Sequence, residues 1–262
     1  MVLKSILLDF REAFNRRHAI IYFGSDDIAQ QYKRTTLGPI WLICTTCFWV
    51  LSMAIVMAAL FNQPISSFLP HAAIGLFVWT FMSYGLYDGC NVFVAAGPLI
   101  SGTRLPLLFH PMRAMVRYLL LYAHYLGVYL LFMFCIGRLP SAIGILSLLG
   151  VAIQIPTVFG VLLMTSVLNA RYRDVMPLSG MVCQVMPLLT PIAWQSDMVK
   201  RYSWLFKLNP IYHFIEIVRR PLLGAVPEML SYAYSVGMML VSLVVGLLLF
   251  SRARARLIFW VS

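Results

Sequence analysis

Long stretches without a charged residue dominate the pattern of this chain. The first runs from Arg34 to Asp88, and four shorter ones follow it. A bilayer core about 30 Å thick is crossed by about 20 apolar residues in a helix. The first stretch is long enough for two crossings and a turn, and each of the others fits one. We therefore predict an all-α membrane protein with six transmembrane helices. They are expected at residues 40–61, 71–91, 114–136, 143–168, 175–194 and 230–250.

The segment before the first span has an amphipathic pattern. In residues 3–17, apolar side chains such as Phe10 and Phe14 recur at helical spacing, with charged residues between them. This predicts an N-terminal amphipathic helix that lies in the membrane interface. Ser25 is expected to cap a second helix, because a serine hydroxyl can accept a hydrogen bond from a free N–H of the first turn.

The segment between the fifth and sixth spans, residues 195–229, is too aromatic and too charged for a simple tether. Its apolar residues recur at helical spacing, opposite Glu216 and Arg220. We predict short helices that re-enter the outer membrane face, where protein must cover any broken backbone. The apolar positions are Ile211, Phe214, Ile215 and Val218.

Composition agrees with a membrane protein. Hydrophobic residues make up 61% of the chain and charged residues 11%, whereas soluble domains have about 45–50% and about 25%. We predict a single transmembrane domain over residues 1–262. It divides into cytosolic or interfacial helices at 1–36, the six spans at 37–250 and a basic cytosolic tail at 251–262. Charged residues interrupt the first 36 positions, so a signal peptide is not expected.

The positive charge of the chain sets its predicted orientation. The formal net charge is +11, and the Lys and Arg residues cluster at the ends of the apolar stretches. With the N-terminus in the cytosol, 14 of the 20 Lys and Arg residues lie on the cytosolic side, as the positive-inside rule requires. Both termini are therefore expected to be cytosolic. No basic stripe with its own fold is present, which argues against nucleic-acid binding.

The sequence contains no motif for catalysis or for energy supply. It has no Gly-x-x-x-x-Gly-Lys-Ser/Thr phosphate loop, no Gly-x-Ser-x-Gly and no His-Glu-x-x-His. The five cysteines lie in or beside apolar stretches and predict neither disulfides nor a metal site. Asp88 lies near the inner end of its span and is expected to meet an arginine. Because the spans carry no mid-membrane charges, the energy source is expected in another protein.

Aromatic residues on the spans are the remaining candidates for a function. Their rings can stack on the apolar faces of sugars, and a line of rings would let a chain slide. The alternative is the aromatic belt that most membrane proteins place at the interface. The candidates are Trp41, Phe48, Trp49, Trp79, Tyr84, Tyr87 and Trp194.

Four ordered stretches resemble the membrane subunits of bacterial polysaccharide ABC exporters, in particular the O-antigen (lipopolysaccharide) export permeases of the type-2 ABC superfamily. The resemblance covers nearly the whole chain. The stretches are Tyr32-Lys33-Arg34-Thr35-Thr36-Leu37-Gly38-Pro39-Ile40-Trp41, Arg171-Tyr172-Arg173-Asp174, Leu189-Thr190-Pro191-Ile192-Ala193-Trp194, and residues 209–219, which begin Asn209-Pro210.

This resemblance implies a homodimeric permease in the bacterial inner membrane, paired with two ATP-binding cassette subunits that bind ATP and Mg. No cofactor is expected in the chain itself. The implied substrate is a glycan on undecaprenyl pyrophosphate, which would pass through a channel between the permeases. The N-terminal helix would act as a gate near the lipid head.

The resemblance also implies two further groups of residues. A coupling segment, residues 92–112, would dock on the ATPase. Its candidates are Gly97, Pro98, Arg104, His110 and Pro111. Tyr32, Lys33 and Arg34 are candidates for contact with the pyrophosphate, although Lys33 and Arg34 also serve as positive-inside signals.

Other functions remain open at this point. The same machinery could export capsule polysaccharide, teichoic acid or a small drug. A membrane enzyme or scaffold is a further alternative, but it predicts ionisable residues gathered at one membrane depth, which the sequence does not show.

Overall fold

Helices form nearly all of the computed structural model, which describes residues 2–38, 40–62, 64–139, 141–192, 194 and 203–261. No strand occurs within these ranges. The α-helices found there are α1 (Val2–Asn15), α2 (Arg17–Gln31), α3 (Ile40–Leu60), α4 (Ile65–Leu86), α5 (Val92–Ala95), α6 (Gly97–Gly102), α7 (Phe109–Ile136), α8 (Leu146–Arg171), α9 (Val175–Leu189), α10 (Ser203–Lys207), α11 (Pro210–Leu222) and α12 (Met229–Val261). Short 3-10 turns at Asp88–Asn91 and Ala142–Ile145 precede α5 and α8.

Five helical stretches in the described ranges are long and apolar enough to cross a membrane. They are Ile40–Leu60, Ile65–Gly102, Phe109–Ile136, Ala142–Arg171 and Met229–Val261. This confirms an all-helical membrane protein and agrees with five of the predicted spans. The other predicted span, 175–194, contains α9, an apolar helix of 15 residues. The helix ends shortly after Pro187, and Pro191 follows it.

Two spans extend beyond their predicted limits. α4 begins at Ile65 and contains Pro70. Because Pro70 has no N–H to donate, the Ser66 carbonyl loses its helical partner, and Arg138 Nη1 donates to that carbonyl instead, at 3.3 Å. At the other end of the chain, α12 continues through the predicted basic tail to Val261. Residues 251–261 are therefore a helical extension that packs at the end of the bundle where α1, α5 and α6 lie.

The N-terminal helices only partly match their prediction. α2 begins at Arg17, so Ser25 lies inside it and the predicted cap is wrong. The Ser25 hydroxyl instead donates to Tyr22 O in its own helix, at 2.9 Å. In α1, Phe10 and Phe14 are exposed, while Asp9 is buried. The apolar side of α1 thus faces outward, as a helix in the membrane interface requires.

A ladder of stacked aromatic rings joins α4 to α7. It consists of the pairs Phe77–Tyr125, Phe81–Tyr122 and Tyr84–Tyr118, with ring centroids 5.4, 4.3 and 5.0 Å apart. The members recur about one turn apart on each helix, so that each ring of α4 meets a ring of α7. Such pairs contribute about 0.5–1.5 kcal/mol each beyond the area they bury. The ladder makes α4 and α7 one firmly packed unit.

Small residues bring other helices close to α8. A Cβ added to Gly160 would lie 2.5 Å from Ser242 C, and one added to Gly246 would lie 2.4 Å from Gly160 O. On the other side of α8, Gly85 and Gly89 pack against this helix, where Thr165 Oγ1 donates to Gly85 O at 2.8 Å. These glycines therefore hold helices together within the chain, as small residues do in membranes.

The segment between the fifth and sixth spans contains α10 and α11, which agrees with the prediction of short helices there. Residues 195–202 of this segment lie outside the described residues. Glu216, on the polar side of α11, is buried, as are Ile215, Ile217 and Val218 around it. Because α4, α8 and α12 all pack against α11, its polar side faces protein, and Glu216 has arginine partners there.

Replacing Gly160 by Val should destabilise the bundle by about 1–3 kcal/mol or more, because the new side chain would collide with the α12 backbone. Thermal unfolding of the purified protein in detergent measures the effect. The matched control is Gly127→Val in α7, where an added Cβ meets nothing within 4 Å. Equal melting temperatures for the two variants would contradict the tight α8–α12 contact.

Candidate functional site

A cavity of about 640 Å³ lies between α3, α4, α7 and α9. Trp49 of α3, Trp79 of α4 and Trp194 beyond α9 line it, so residues far apart in the sequence share one surface. Polar groups complete the lining. They include Thr45, Thr46, Thr80, Tyr125 and Gln184. We call this space the aromatic cavity.

Three of the seven predicted aromatic residues line the aromatic cavity, namely Trp49, Trp79 and Trp194. Trp41 and Phe48 lie on α3 but do not line it, and their side chains are 42% and 73% exposed. Tyr84 belongs to the aromatic ladder, with its hydroxyl 2.6 Å from the Tyr125 hydroxyl. Tyr87 is partly exposed and packs on α9 at Gly180.

The threonines of the aromatic cavity offer it hydrogen-bond acceptors. The hydroxyls of Thr45, Thr46 and Thr80 each donate to a carbonyl one turn earlier in their own helix, at 2.7–2.8 Å. Each has thus used its proton and keeps oxygen lone pairs as acceptors. A ligand with apolar ring faces and hydroxyl donors would match both kinds of group.

A buried polar cluster holds one wall of the aromatic cavity. Arg219 of α11 forms an ion pair with Glu216, and its Nη1 donates to Pro191 O at 2.6 Å. The same Nη1 lies 2.9 Å from His71 Nε2, and that ring nitrogen lies 3.1 Å from Trp194 O. We call these five residues the outer clamp. It fixes the segment after α9, and with it Trp194, against α4 and α11.

The Asn209-Pro210 pair begins α11 and supports the outer clamp. Asn209 Oδ1 accepts a hydrogen bond from Ile211 N at 3.0 Å, and its Nδ2 donates to Thr190 Oγ1 at 2.8 Å. Proline in the first turn needs no hydrogen-bond partner for its nitrogen. This arrangement ties the start of α11 to the end of α9.

Sequence reasoning missed the outer clamp because its members come from three distant parts of the chain. One signal was present: Glu216 and Arg219 lie three residues apart, a spacing that allows an ion pair on one helix. Their burial in an apolar setting could not be read from that spacing.

The carboxyl of Glu216 responds to two opposing effects. Burial raises its pKa, while the neighbouring Arg219 and Arg220 lower it, and the net result is a lowered pKa. The folded state therefore binds the proton less readily than the unfolded chain. Stability from this carboxylate is present above the unfolded pKa of about 4.3 and is lost as the pH falls through the folded pKa.

Two ion pairs lie near the N-terminal end of α7. Arg113 pairs with Asp27 of α2, where its Nε lies 2.9 Å from Asp27 Oδ2, and Arg117 pairs with Asp88 after α4. The pairing of Asp88 with an arginine was predicted. Both pairs line a cavity of about 220 Å³ that also contains His110. α7 therefore links the second N-terminal helix to the segment that leads into α5 and α6.

The candidate pyrophosphate contacts lie at the end of α2. Tyr32 is the C-cap of this helix and is half-buried, whereas Lys33 and Arg34 are exposed. Neither of these two cations forms an ion pair with an acidic residue of the described ranges. They remain available to an anion at the membrane surface.

The candidate coupling residues do not form a single patch. Pro98 and Arg104 are exposed, and Arg104 is the last residue of the exposed stretch 101–104. Gly97 is buried under α12, where an added Cβ would lie 2.4 Å from Val261 O. His110 and Pro111 are buried at the start of α7. Only Pro98 and Arg104 can meet a partner without a rearrangement.

The parts of the chain that the structure describes hold no group of three His, Cys, Asp or Glu side chains placed to bind a metal ion.

Glu216→Gln should lower the stability of the protein at neutral pH by about 3–5 kcal/mol, because it removes the charge that balances buried Arg219. The difference from the wild type should shrink as the pH falls below about 4. Thermal unfolding in detergent between neutral and acid pH measures both effects. Glu228→Gln is the control, since Glu228 pairs with Arg220 but is half-exposed. A pH-independent difference, or equal effects of the two variants, would contradict the role given to Glu216.

Comparison with known proteins gives consistent relatives. No protein-family model matches the chain. Two O-antigen export system permease proteins RfbA of Klebsiella pneumoniae are each 24% identical to it over 241 residues, which is 90% of this chain and 92% of the relative. An O-antigen export system permease protein RfbA of Myxococcus xanthus is 21% identical over 205 residues, 77% of this chain and 78% of that protein. Over most of its length the chain is thus similar to proteins named as O-antigen export permeases.

Proposed function

We propose that this protein is the transmembrane subunit of an ATP-driven exporter that moves an O-antigen-type polysaccharide, linked to undecaprenyl pyrophosphate, across the bacterial inner membrane. The observation that carries the proposal is the aromatic cavity, in which three tryptophans and several hydroxyl acceptors share one surface. Rings and hydroxyl groups in this arrangement suit the faces and edges of sugars. The names of the relatives indicate the same class of cargo.

In this proposal the aromatic cavity is one half of a channel, and a second copy of the chain supplies the other half. α3 is the least buried of the long apolar helices, and its exposed residues include Trp49. α9 exposes Met181 and Leu188 beside it. An exposed apolar surface next to a cavity that carries several polar groups is suited to a homodimer, in which the two copies would enclose the path.

Six spans follow if α9 completes a crossing together with the segment after it. α9 alone is about 22 Å long at about 1.5 Å per residue, shorter than a bilayer core of about 30 Å. The described residues after α9, 190–192 and 194, would make up part of the difference, held by the outer clamp. Both termini then lie in the cytosol, as the distribution of Lys and Arg requires.

ATP hydrolysis belongs to a partner in this proposal, since the sequence has no phosphate-binding loop. ATP and Mg would bind in two ATP-binding cassette subunits. The exposed residues Pro98 and Arg104 would meet these subunits. Movement there would reach α2 through the pairs of α7 with Asp88 and Asp27. Lys33 and Arg34, at the end of α2, would meet the lipid pyrophosphate.

The direct test is to purify the chain with its ATPase and to measure hydrolysis with and without lipid-linked glycan in proteoliposomes. We expect a stable complex whose hydrolysis rises with the glycolipid. Stimulation by a capsule glycolipid, a teichoic acid or a drug, but not by an O-antigen glycolipid, would move the protein to another cargo. Absence of a complex, or normal surface glycan in a strain lacking the gene, would overturn the export function.

Trp49→Ala should slow glycan export severalfold, because one stacking interaction of about 1 kcal/mol is lost from the path. The side chain is 65% exposed, so little stability should be lost. Trp41→Ala is the matched control: it removes an exposed tryptophan of the same helix that does not line the aromatic cavity. Export is measured as surface glycan per unit of permease in the membrane. Equal export by the two variants would remove Trp49 from the path.

A further inference from the structure

An apolar groove runs along the bundle from the N-terminal helices towards the middle of α8 and α12. Its volume is about 360 Å³, and its surface is almost entirely apolar. Phe14 lies at one end, and Leu119, Pro156 and Leu243 lie along it. Among the described residues that line the groove, Arg17 alone is charged.

The groove leads from the N-terminal helices into the apolar part of the bundle. Its charged end is at the junction of α1 and α2, where an amphipathic helix meets the membrane surface. Leu119 lies about five residues inside the predicted span 114–136, a depth of about 8 Å at about 1.5 Å per residue. Pro156 lies near the middle of the predicted span 143–168, and Leu243 about seven residues inside the predicted span 230–250. The groove therefore extends from the interface into one leaflet of a bilayer core of about 30 Å.

Arg17 is placed to hold an anionic group at the interface. Its guanidinium carbon lies 5.5 Å from the centre of the Phe14 ring, which lines the same groove. Arg113 and Arg117 have carboxylate partners, whereas Arg17 forms no ion pair with an acidic residue in the described ranges. A guanidinium binds phosphate through paired, charge-assisted hydrogen bonds.

We propose that the groove is a binding site for an anionic phospholipid, with one acyl chain between α7, α8 and α12 and the phosphate at Arg17. The position of the groove favours a membrane phospholipid over the lipid of an exported cargo. No described lining residue comes from α3 or α9, the helices that border the aromatic cavity. The bound lipid would hold α1 and α2 against the bundle.

The test uses the full-length purified protein and measures retained lipids by native mass spectrometry. The probes are phosphatidylglycerol and phosphatidylcholine with identical acyl chains, offered in equal amounts. Arg17→Gln is compared with Arg16→Gln, which removes the neighbouring exposed arginine outside the groove. Leu119→Trp fills the groove, and Leu120→Trp is its control, since Leu120 is exposed and does not line it. Gel filtration and circular dichroism establish that each variant is folded.

The wild type should retain phosphatidylglycerol in preference to phosphatidylcholine. Arg17→Gln should reduce this preference about five-fold, and Arg16→Gln should leave it unchanged. Leu119→Trp should lose both lipids, while Leu120→Trp keeps them. Equal retention of the two lipids by the wild type, or equal effects of the two arginine variants, would overturn the proposal. Displacement of phosphatidylglycerol by an equal amount of polyprenyl phosphate would also overturn it and would assign the groove to an isoprenoid lipid.

Discussion

The high cost of charge in hydrocarbon determines how this protein is held together. Each ion pair found in the described ranges lies near one or the other of the two ends of the bundle. Asp9, Asp27 and Asp88 take arginine partners at one end, and Glu216 and Glu228 do so at the other. Between these two ends, the helices are held together only by close packing and by hydrogen bonds between neutral groups. Burial of apolar surface gives little drive for association there, because lipid is as apolar as a side chain.

The middle of the bundle meets this constraint in two ways. The aromatic ladder fits α4 to α7 through flat rings, and Gly160 and Gly246 let α8 and α12 approach backbone to backbone. Both depend on close van der Waals contact, which a single added methyl group can break. α3 and α9 take no part in either contact, and both border the aromatic cavity together with α4 and α7.

Much of the fold could be predicted from the sequence because charges mark the ends of membrane helices. The five long helices follow from this rule. Predictions for single residues and helix ends were less reliable. Ser25 has the side chain of a cap but lies within α2, because the chain turns earlier, at Arg16. The extension of α12 was also missed, since Arg252 and Arg256 resemble a stop signal, while Ala253 and Leu257, which directly follow them, are buried.

The candidate site was predicted less completely than the fold. An apolar helix such as α3 has no polar side to orient it, so the sequence cannot tell Trp49, which lines the aromatic cavity, from Trp41 and Phe48, which do not. The outer clamp was not foreseen, because buried partners such as His71 and Arg219 are far apart in the chain and only the fold brings them together.

His71 gives the outer clamp a choice between two states. Its Nε2 lies within hydrogen-bond distance of Trp194 O, which can only accept, and of Arg219 Nη1, which can only donate. One ring nitrogen of a neutral imidazole cannot serve both at once. The two bonds therefore belong to alternative tautomers, and exchange between them moves a proton between the ring nitrogens without changing the net charge. In one tautomer Nε2 donates to Trp194 O, and in the other it accepts from Arg219, so the net charge of the buried cluster is the same in both.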